Sequence, residues 1–417
     1  MDSLPNELMA AILSKLNIEH KFRFMRVCKR WKEVCEQEVR THKRLAIRNK
    51  CLEPLFPLSA DCHFDDKDVV PESIVSVKNK SCWSTLFNYL PSLTVVYVDC
   101  EAALFIRNML DFCSPSLTCL LCPHWTFTCD HPLPQLVVLS VDRVSDASLR
   151  GLLVSSPNLA AIKFSRTDFR HWDILPNGLR SITGGELDDR PFDRLFSSPA
   201  AETLELLTLR SSALHLIASY LLPQLRELEV GGCELMTDNV ILNWAETLSR
   251  SKNLQLLHFS TPIDGQHLTS AALWNTFFAA IAPIRCLYLN LCRHRLDPMS
   301  QIISSLVDRC PNIEQLTLPY SNLTDSDMLI VSQLPVLKKF LLYSNSGPLT
   351  EKGVLALLTG NCATTLTYLH IYNNYKMWIH RPPMTTTAVK EKVEELAERS
   401  TDVVSFTLQY LDHDWRR

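Results

Sequence analysis

A short apolar pattern recurs along most of this chain and constrains its fold more than any other feature. The pattern is apolar-x-x-apolar-x-apolar, as in Leu225, Leu228 and Val230, and successive copies are mostly 19 to 30 residues apart. The copies begin at Leu93, Leu117, Leu136, Leu159, Leu179, Leu204, Leu225, Leu254, Ile284, Ile313, Leu337, Leu366 and Val403. One such unit cannot bury its apolar face alone, so the repetition predicts a stack of units that share one continuous core.

This spacing is typical of leucine-rich repeats, in which each unit is a short strand followed by a returning helix. We therefore predict an α/β fold, in which a helical N-terminal segment precedes a curved leucine-rich-repeat solenoid. Its parallel strands form the concave sheet, and its helices lie on the convex side. Asp238, Thr324 and Thr350 lie near the starts of predicted helices and suit the capping position.

A small side chain with hydrogen-bonding capacity follows several predicted strands by three positions. Cys233 and Cys292 occupy this position in two copies, and Ser321 and Asn345 occupy it in two others. This arrangement resembles the cysteine-containing subclass of leucine-rich repeats. We expect the side chain at this position to satisfy backbone groups in the turn.

The N-terminal segment differs from the repeats and predicts two amphipathic helices, the second from about Phe22 to Glu38. Pro5 suits a first helical position, and Glu7 favours the positive end of a helix. Leu8, Ile12 and Leu13 then recur at helical spacing. So small a segment cannot bury all its apolar groups, and the remaining apolar surface needs a partner.

This N-terminal segment resembles an F-box, a helical module that docks onto the Skp adaptor of cullin-based SCF ubiquitin ligases. The resemblance lies in Leu4-Pro5-x-Glu7 and continues through Val27-Cys28-Lys29-Arg30-Trp31. It implies an adaptor contact made by Leu4, Pro5, Glu7, Ile12, Leu13, Leu16, Val27, Cys28 and Trp31, some of which also belong to the core of the segment.

The distribution of charge favours protein partners over nucleic acid. The formal net charge is −3, yet residues 15 to 50 contain twelve Lys or Arg and four Glu. This basic stretch contains no base-reading motif, and it interleaves with the apolar docking positions. It suits a solvated face that steers an acidic protein partner, which agrees with the acidic character typical of the Skp adaptor.

Fifteen cysteines without a signal peptide predict reduced thiols in an intracellular compartment, the cytoplasm or the nucleus. The longest apolar stretch, about residues 86 to 106, is interrupted by Asn88, Pro91, Asp99 and Glu101. We therefore predict no membrane-spanning segment.

The sequence lacks motifs for catalysis and cofactor binding, and it contains one candidate metal site. Glycine-rich phosphate loops, nucleophile elbows and His-Glu-x-x-His are missing, so we expect no enzyme and no cofactor. Cys119 and Cys122, with His124, Cys129 and His131 nearby, suggest a zinc site. The predicted strand register argues against it, because residues three apart on a strand point to opposite faces.

The concave sheet is the predicted recognition surface, because the residues between the apolar strand positions line it. Tyrosines are enriched at protein interfaces, and several lie there in the second half of the chain. The candidate substrate-binding residues are His258, Tyr288, Tyr343, Tyr368, His370 and Tyr372. The alternative is that tyrosine occupies strands for its β propensity alone.

Together these features predict a helical head at residues 1–48, a joint or irregular first repeat at 49–72 and a solenoid at 73–417. The resemblance implies a substrate-recognition subunit of an SCF-type ubiquitin ligase. Its partners would be the Skp adaptor, through it a cullin and a RING protein, and an unidentified protein substrate. A repeat scaffold without a ligase role and a small-molecule co-receptor remain the alternatives.

Overall fold

A computed structural model of the chain describes residues 4–16, 21, 24–40, 43–48, 73–76, 90, 92–99, 109–110, 113–122, 124–125, 131–167, 174–187, 195, 197–210, 223–231, 238–259, 271–290, 299–319, 321–345, 347–373, 387–399 and 405–410. The chain divides into two compact units. The first comprises Met1–Gly185 with Ser197–Thr203, and the second comprises Glu186–Phe196 with Leu204–Arg417.

The first unit begins with the head, which contains helices α1 (Asn6–Ser14) and α2 (Lys29–Arg40). Pro5 is the N-cap residue of α1 rather than its first helical residue, and Glu7 lies in the first turn. The two helices share a small core of Met9, Leu13, Trp31, Val34 and Cys35. The predicted helical head is therefore confirmed.

The strands of the first unit are β1 (Arg44–Arg48), β2 (Ser73–Ser76), β3 (Val95–Asp99), β4 (Cys119–Leu121), β5 (His124–Trp125), β6 (Val138–Val144), β7 (Ala161–Thr167) and β8 (Ser181–Leu187). Among the described residues of this unit, helix α3 (Asp146–Ser155) and a 3₁₀ turn at Pro199–Glu202 accompany these strands. The order of the paired strands is β2-β1-β3-β4-β6-β7-β8, and β5 pairs with the end of β6.

Strand β1 lies between β2 and β3, although it precedes both in sequence. It pairs in parallel with each of them, Ala46 being opposite Ile74 on one side and Tyr97 on the other. The Lys43 carbonyl just before β1 also accepts hydrogen bonds from the backbone N–H groups of Thr94 and Val95, at 2.8 and 2.9 Å. The last five residues of the predicted head thus form a strand of the sheet.

The second unit alternates strands and helices. In chain order its elements are β9 (Leu206–Arg210), β10 (Glu227–Gly231), α4 (Asp238–Arg250), β11 (Leu256–Phe259), α5 (Ala271–Ala280), β12 (Cys286–Leu289), α6 (Met299–Arg309), β13 (Gln315–Pro319), α7 (Asp325–Val331), β14 (Lys339–Asn345), α8 (Glu351–Thr359), a 3₁₀ turn (Asn361–Thr364), β15 (Tyr368–Asn373), α9 (Thr387–Arg399) and β16 (Ser405–Tyr410). Strands β9 to β16 are neighbours in sequence order and run parallel. The predicted repeat stack is confirmed.

Burial alternates along these strands as the apolar pattern predicts. In β10 Leu228 and Val230 are buried, whereas Glu227 and Glu229 between them are partly exposed. We call the partly exposed strand positions the open face. The helices pack against one another in sequence from α4 to α9, and α6 buries Met299, Ile302, Ile303, Leu306 and Val307 at helical spacing.

Turns between repeats are held by buried polar side chains. The Oδ1 atom of Asn345 accepts a 2.7 Å hydrogen bond from the Leu323 N–H, and its Nδ2 donates to the carbonyls of Leu323 and Gly347. Ser321 donates to the same Oδ1 at 3.3 Å. The predicted role of this turn position is confirmed at Ser321 and Asn345, whereas Cys233 and Cys292 lie outside the described residues.

Two of the three predicted helix caps are present. Thr324 caps α7 in a capping box with Asp327, and Thr350 caps α8 by accepting from the Lys352 N–H. Asp238 is instead the first residue of α4 and lies within its first turn. Its carboxylate still favours the positive end of the helix.

Candidate functional site

The head exposes apolar side chains that its own core does not cover. Leu8 is 52% exposed and Ile12 is 46% exposed, and their i,i+4 spacing places them on one face of α1. Val27, just before α2, is 55% exposed. We call Leu8, Ile12 and Val27 the exposed apolar set.

Other predicted contact residues lie in the core of the head. Leu13 is fully buried and Trp31 nearly so, with Leu4 and Leu16 packed against the same cluster. Leu13 and Trp31 therefore support the head from within rather than face solvent. Some adaptor-contact residues were predicted to belong also to the core of the head, and Leu13 and Trp31 do so. Their contact with the adaptor stays a prediction.

Polar and aromatic contacts fix α1 against the start of α2. The guanidinium of Arg30 donates a 2.9 Å bond to Asn6 Oδ1 and a 2.6 Å bond to the Leu4 carbonyl. The rings of Phe24 and Trp31 stack with centroids 5.1 Å apart. These contacts hold the segment that carries Val27 in a defined position relative to the first turn of α1.

The remaining predicted residues of the head are exposed. Pro5, Glu7 and Cys28 all face solvent. Leu8 belongs to the exposed apolar set although the sequence interpretation did not select it as a contact residue. Its i,i+4 relation to Ile12 is the signal that identifies it.

Charge around the exposed apolar set is mostly basic. Lys15, Arg26 and Lys29 are exposed, and Lys29 has only a loose contact with Glu33, at 4.0 Å. Such a rim complements a partner with surface carboxylates.

One lysine of the head is buried rather than part of this rim. Lys21 is almost fully buried, with its Nζ 3.7 Å from Glu38 Oε1. Burial raises the pKa of the neighbouring Cys35 thiol to about 11, an effect that the positive charge of Lys21 partly opposes. Cys35 is thus a neutral core residue at pH 7 rather than a reactive thiol.

The six predicted substrate-binding residues lie on the open face of the second unit. The register places His258 directly opposite Tyr288 on the next strand, and their ring centroids are 3.7 Å apart. On its other side His258 is opposite Glu229, with Nδ1 3.6 Å from Oε1. Glu229 Oε2 also accepts a long hydrogen bond, 3.5 Å, from the hydroxyl of Thr208.

A second group of aromatic residues lies on β14 and β15. Tyr343 is opposite Tyr372, and its ring centroid is 5.0 Å from that of His370. Burial, and to a lesser extent the neighbouring Tyr368, raise the pKa of Tyr343 above its ordinary value. The phenol therefore stays neutral across the physiological range and offers a hydrogen-bonding tip.

The structure brings the six candidates together as two groups rather than one. Strand β13 separates Tyr288 on β12 from Tyr343 on β14. Its Thr317 is opposite Tyr288, whereas its Pro319 is opposite Tyr343. Tyr343, Tyr368, His370 and Tyr372 do share neighbouring strands, as the repeat register predicted. Their role in substrate binding stays a prediction.

Two of the suggested zinc ligands, Cys119 and Cys122, differ in exposure. Cys119 is half-buried on the open face of β4, whereas Cys122 beyond the strand is fully buried. Within the described part of the chain, no three His, Cys, Asp or Glu side chains are grouped to hold a metal ion. Cys129 lies outside that part.

A membrane-spanning element is also not found among the described residues. None of the helices listed above combines the length and the apolar character that crossing a bilayer requires.

Comparisons with known proteins match the head to one family. Residues 1–48 match the family model described as F-box-like, so the head is an F-box-like domain. No curated protein matches the chain. The chain therefore combines an F-box-like domain with a leucine-rich-repeat stack.

The solved structures that are similar to the chain include TLR13 and an internalin. One is TLR13 in a crystal structure of a TLR13–ssRNA13 complex, at 14% identity over 70% of this chain and 51% of that chain, with a TM-score of 0.38. The other is an internalin (inlF) from Listeria monocytogenes str. 4b F2365, at 12% identity over 87% of this chain and 93% of that chain, with a TM-score of 0.42. The chain spans about half the length of the TLR13 chain. Because both TM-scores are low, the repeat fold is assigned from strand register and burial.

Proposed function

We propose that this chain is the substrate-recognition subunit of an SCF-type ubiquitin ligase. The head binds the Skp adaptor, which links the chain to a cullin and a RING protein, and the repeats hold a protein target. The chain itself catalyses no covalent step and needs no cofactor, because other subunits transfer ubiquitin. The complex works in the cytoplasm or the nucleus.

The observation that carries this proposal is the exposed apolar set on an F-box-like domain. Leu8, Ile12 and Val27 each keep about half of their surface in water. Covering the exposed half of each side chain contributes roughly 1 kcal/mol, so a partner that covers all three gains a useful part of its affinity here. The basic rim of Lys15 and Arg26 favours an acidic partner and fast association.

The chain then promotes ubiquitin transfer by bringing the target close to the ubiquitin carrier, and it contributes no catalytic group. A target held on the repeats meets the ubiquitin carrier as part of one assembly, which raises the effective concentration of its lysines. Holding two reactants together lowers the entropic part of the barrier without a catalytic group on the receptor.

The test is direct binding of the purified full chain to a purified Skp adaptor. The variant Ile12→Glu with Val27→Glu places two charges in the exposed apolar set and leaves the core of the head intact. We expect its adaptor affinity to fall by at least about tenfold, because charged groups resist transfer from water into an apolar contact. The thermal unfolding midpoint should be unchanged.

Leu329→Glu is the matched control. Leu329 is 57% exposed on α7, so its replacement puts one such charge in place of an exposed apolar side chain, far from the head in sequence. Adaptor binding by this variant should equal that of the wild type. A wild-type chain that does not bind the adaptor would refute the ligase proposal and leave the repeat scaffold as the better description.

A further inference from the structure

The open face of the second unit has an uneven distribution of charge that indicates the chemistry of its target. We propose that Glu227, Glu229, His258 and Tyr288, here called the acidic-aromatic row, capture a target segment through a Lys or Arg side chain. This inference rests on the proposed function and specifies the substrate class of the same receptor.

The row is built by strand register. Glu229, His258 and Tyr288 occupy the same position on β10, β11 and β12, so their side chains lie side by side on one face. Glu227 lies two residues before Glu229 on the same face of β10, about 7 Å away along the strand. Two carboxylates and an aromatic pair thus meet within three adjacent strands.

Negative charge dominates this part of the face. Cys286 lies on β12 two strands from Glu227, and burial, more than the charges of Glu314 and Glu227, raises the pKa of its thiol. The positive charges of Lys339 and Arg285 act in the opposite direction, and the negative ones outweigh them. Among the described side chains on the open face of β9 to β13, the carboxylates of Glu227 and Glu229 are the charged groups of fixed sign. Lys339 lies on β14, and the side chain of Arg210 at the end of β9 is outside the described ones.

A cationic side chain satisfies both components of the row at once. Its positive charge is attracted by the Glu227 and Glu229 carboxylates, and its methylene groups pack against the neighbouring rings of His258 and Tyr288. Glu229 is only 16% exposed, so the attraction there is screened less than between surface charges. A phosphate or carboxylate on the target meets repulsion at the same place.

The second aromatic group sets the length of the target segment. Strands β10 and β14 are four strand spacings, or about 19 Å, apart. Tyr343 also lies two residues further along its strand than the row of Glu229, so the two residues are about 20 Å apart. An extended segment of about six residues covers this distance. The target therefore carries Lys or Arg at one end and an aromatic or apolar residue about five positions away, against Tyr343 and His370.

The experiment is a selection from a random library of peptides about 12 residues long, displayed on phage, with the purified full chain as bait. For the wild type we expect Lys and Arg to rise at least about threefold over the input library and Asp and Glu to fall. The variant Glu227→Gln with Glu229→Gln keeps the shape of both side chains and removes both charges. It should lose this enrichment and bind the selected peptides at least about tenfold more weakly.

Glu391→Gln with Glu394→Gln is the matched control, because both residues are exposed on α9 and the net charge changes equally. It should select the same basic peptides as the wild type. The proposal is overturned if the wild type enriches acidic peptides, enriches none, or shows the same basic preference in the Glu227/Glu229 variant. The wild-type outcomes decide it even if that variant does not fold.

The selection contains no adaptor, so its outcome is separate from that of the ligase proposal. If the chain binds the adaptor but does not select peptides rich in Lys and Arg, only the proposed substrate class is refuted. If the chain selects such peptides but does not bind the adaptor, the ligase role is refuted and the chain is a receptor for cationic segments.

Discussion

The head and the repeats of the second unit use apolar side chains in different ways. In the repeats each apolar position of the pattern is covered by the same position of its neighbours, as Leu316, Phe340 and Leu369 on consecutive strands show. In the head, two helices leave Leu8 and Ile12 about half exposed. A stack of similar units covers itself, whereas a pair of short helices does not.

This difference separates residues that hold a structure from residues that offer a surface. The repeats hold their shape through buried apolar and polar side chains and place their recognition chemistry on the alternate strand positions. The head has the two roles side by side on one helix, where Ile12 is exposed and Leu13 is fully buried. Substitutions at matched positions in the two regions therefore test the comparison.

The largest effect is expected at Leu13. Leu13→Ala removes buried groups from the core shared by α1 and α2 and leaves a cavity, so the free energy of unfolding of the head should fall by about 2–5 kcal/mol. Hydrogen exchange of the amides of α1 and α2, followed by mass spectrometry, suits the measurement, because it reports on the head separately from the repeats.

Ile12→Ala at the adjacent position is the control. Its side chain is already about half exposed, so stability should change by less than about 0.5 kcal/mol while adaptor affinity falls. Equal losses of stability in the two variants would contradict the division of roles between Ile12 and Leu13.

A smaller effect is expected at Asn345 in the repeats. Asn345→Ala leaves the Leu323 N–H and carbonyl without their side-chain partner in a buried turn. Leaving such groups unsatisfied costs about 1–3 kcal/mol, measurable as a shift of the denaturant midpoint. Asn322→Ala, at an exposed position of the same turn, is the control and should be nearly neutral.

The turn chemistry at Asn345 and the alternation in the strands could be predicted from the sequence, because both depend on local spacing. Leu228 and Val230 are buried because strand side chains alternate, whatever the rest of the chain does. Asn345 follows its strand by a fixed number of residues, so the repeat period locates it.

Long-range placement could not be predicted in the same way. Residues 44–48 show no copy of the repeat pattern, yet β1 lies between two later strands, because its partners are chosen by pairing over long separations in sequence. The helical period placed Ile12 and Leu13 on one broad apolar face. Only the packing of α2 decides that Leu13 is buried and Ile12 is not.

The separation of the aromatic residues of the open face into two groups also depends on long-range placement of the strands. The sequence places Tyr288 and Tyr343 on strands, but their distance depends on how many strands lie between them. On strand β13, Thr317 is opposite Tyr288 and Pro319 is opposite Tyr343, so the residues of β13 that face the two tyrosines are not aromatic. The count of intervening repeats, rather than residue type, sets the geometry of the predicted substrate site.

The smallest effect is expected from the ion pairs at the edge of the sheet in the second unit. The Glu314 carboxylate accepts a 2.7 Å bond from Lys338 and lies 3.4 Å from Arg285, and the bond from Lys338 is the main cause that lowers the pKa of Glu314. A lowered pKa in the folded state stabilises the protein above the ordinary pKa of the group, and this stabilisation is lost as the pH falls through the lower value. Because the pair is largely exposed and screened, Glu314→Gln should cost less than about 1 kcal/mol at pH 7.

Unfolding by urea at pH 7 and near pH 3 measures this contribution for the wild type and the variant. The difference between them should be present at pH 7 and shrink near pH 3, where the wild-type carboxyl is becoming protonated. A difference as large as that of Asn345→Ala, or one that does not change with pH, would mean that surface charge contributes to the repeats on the same scale as their buried polar contacts.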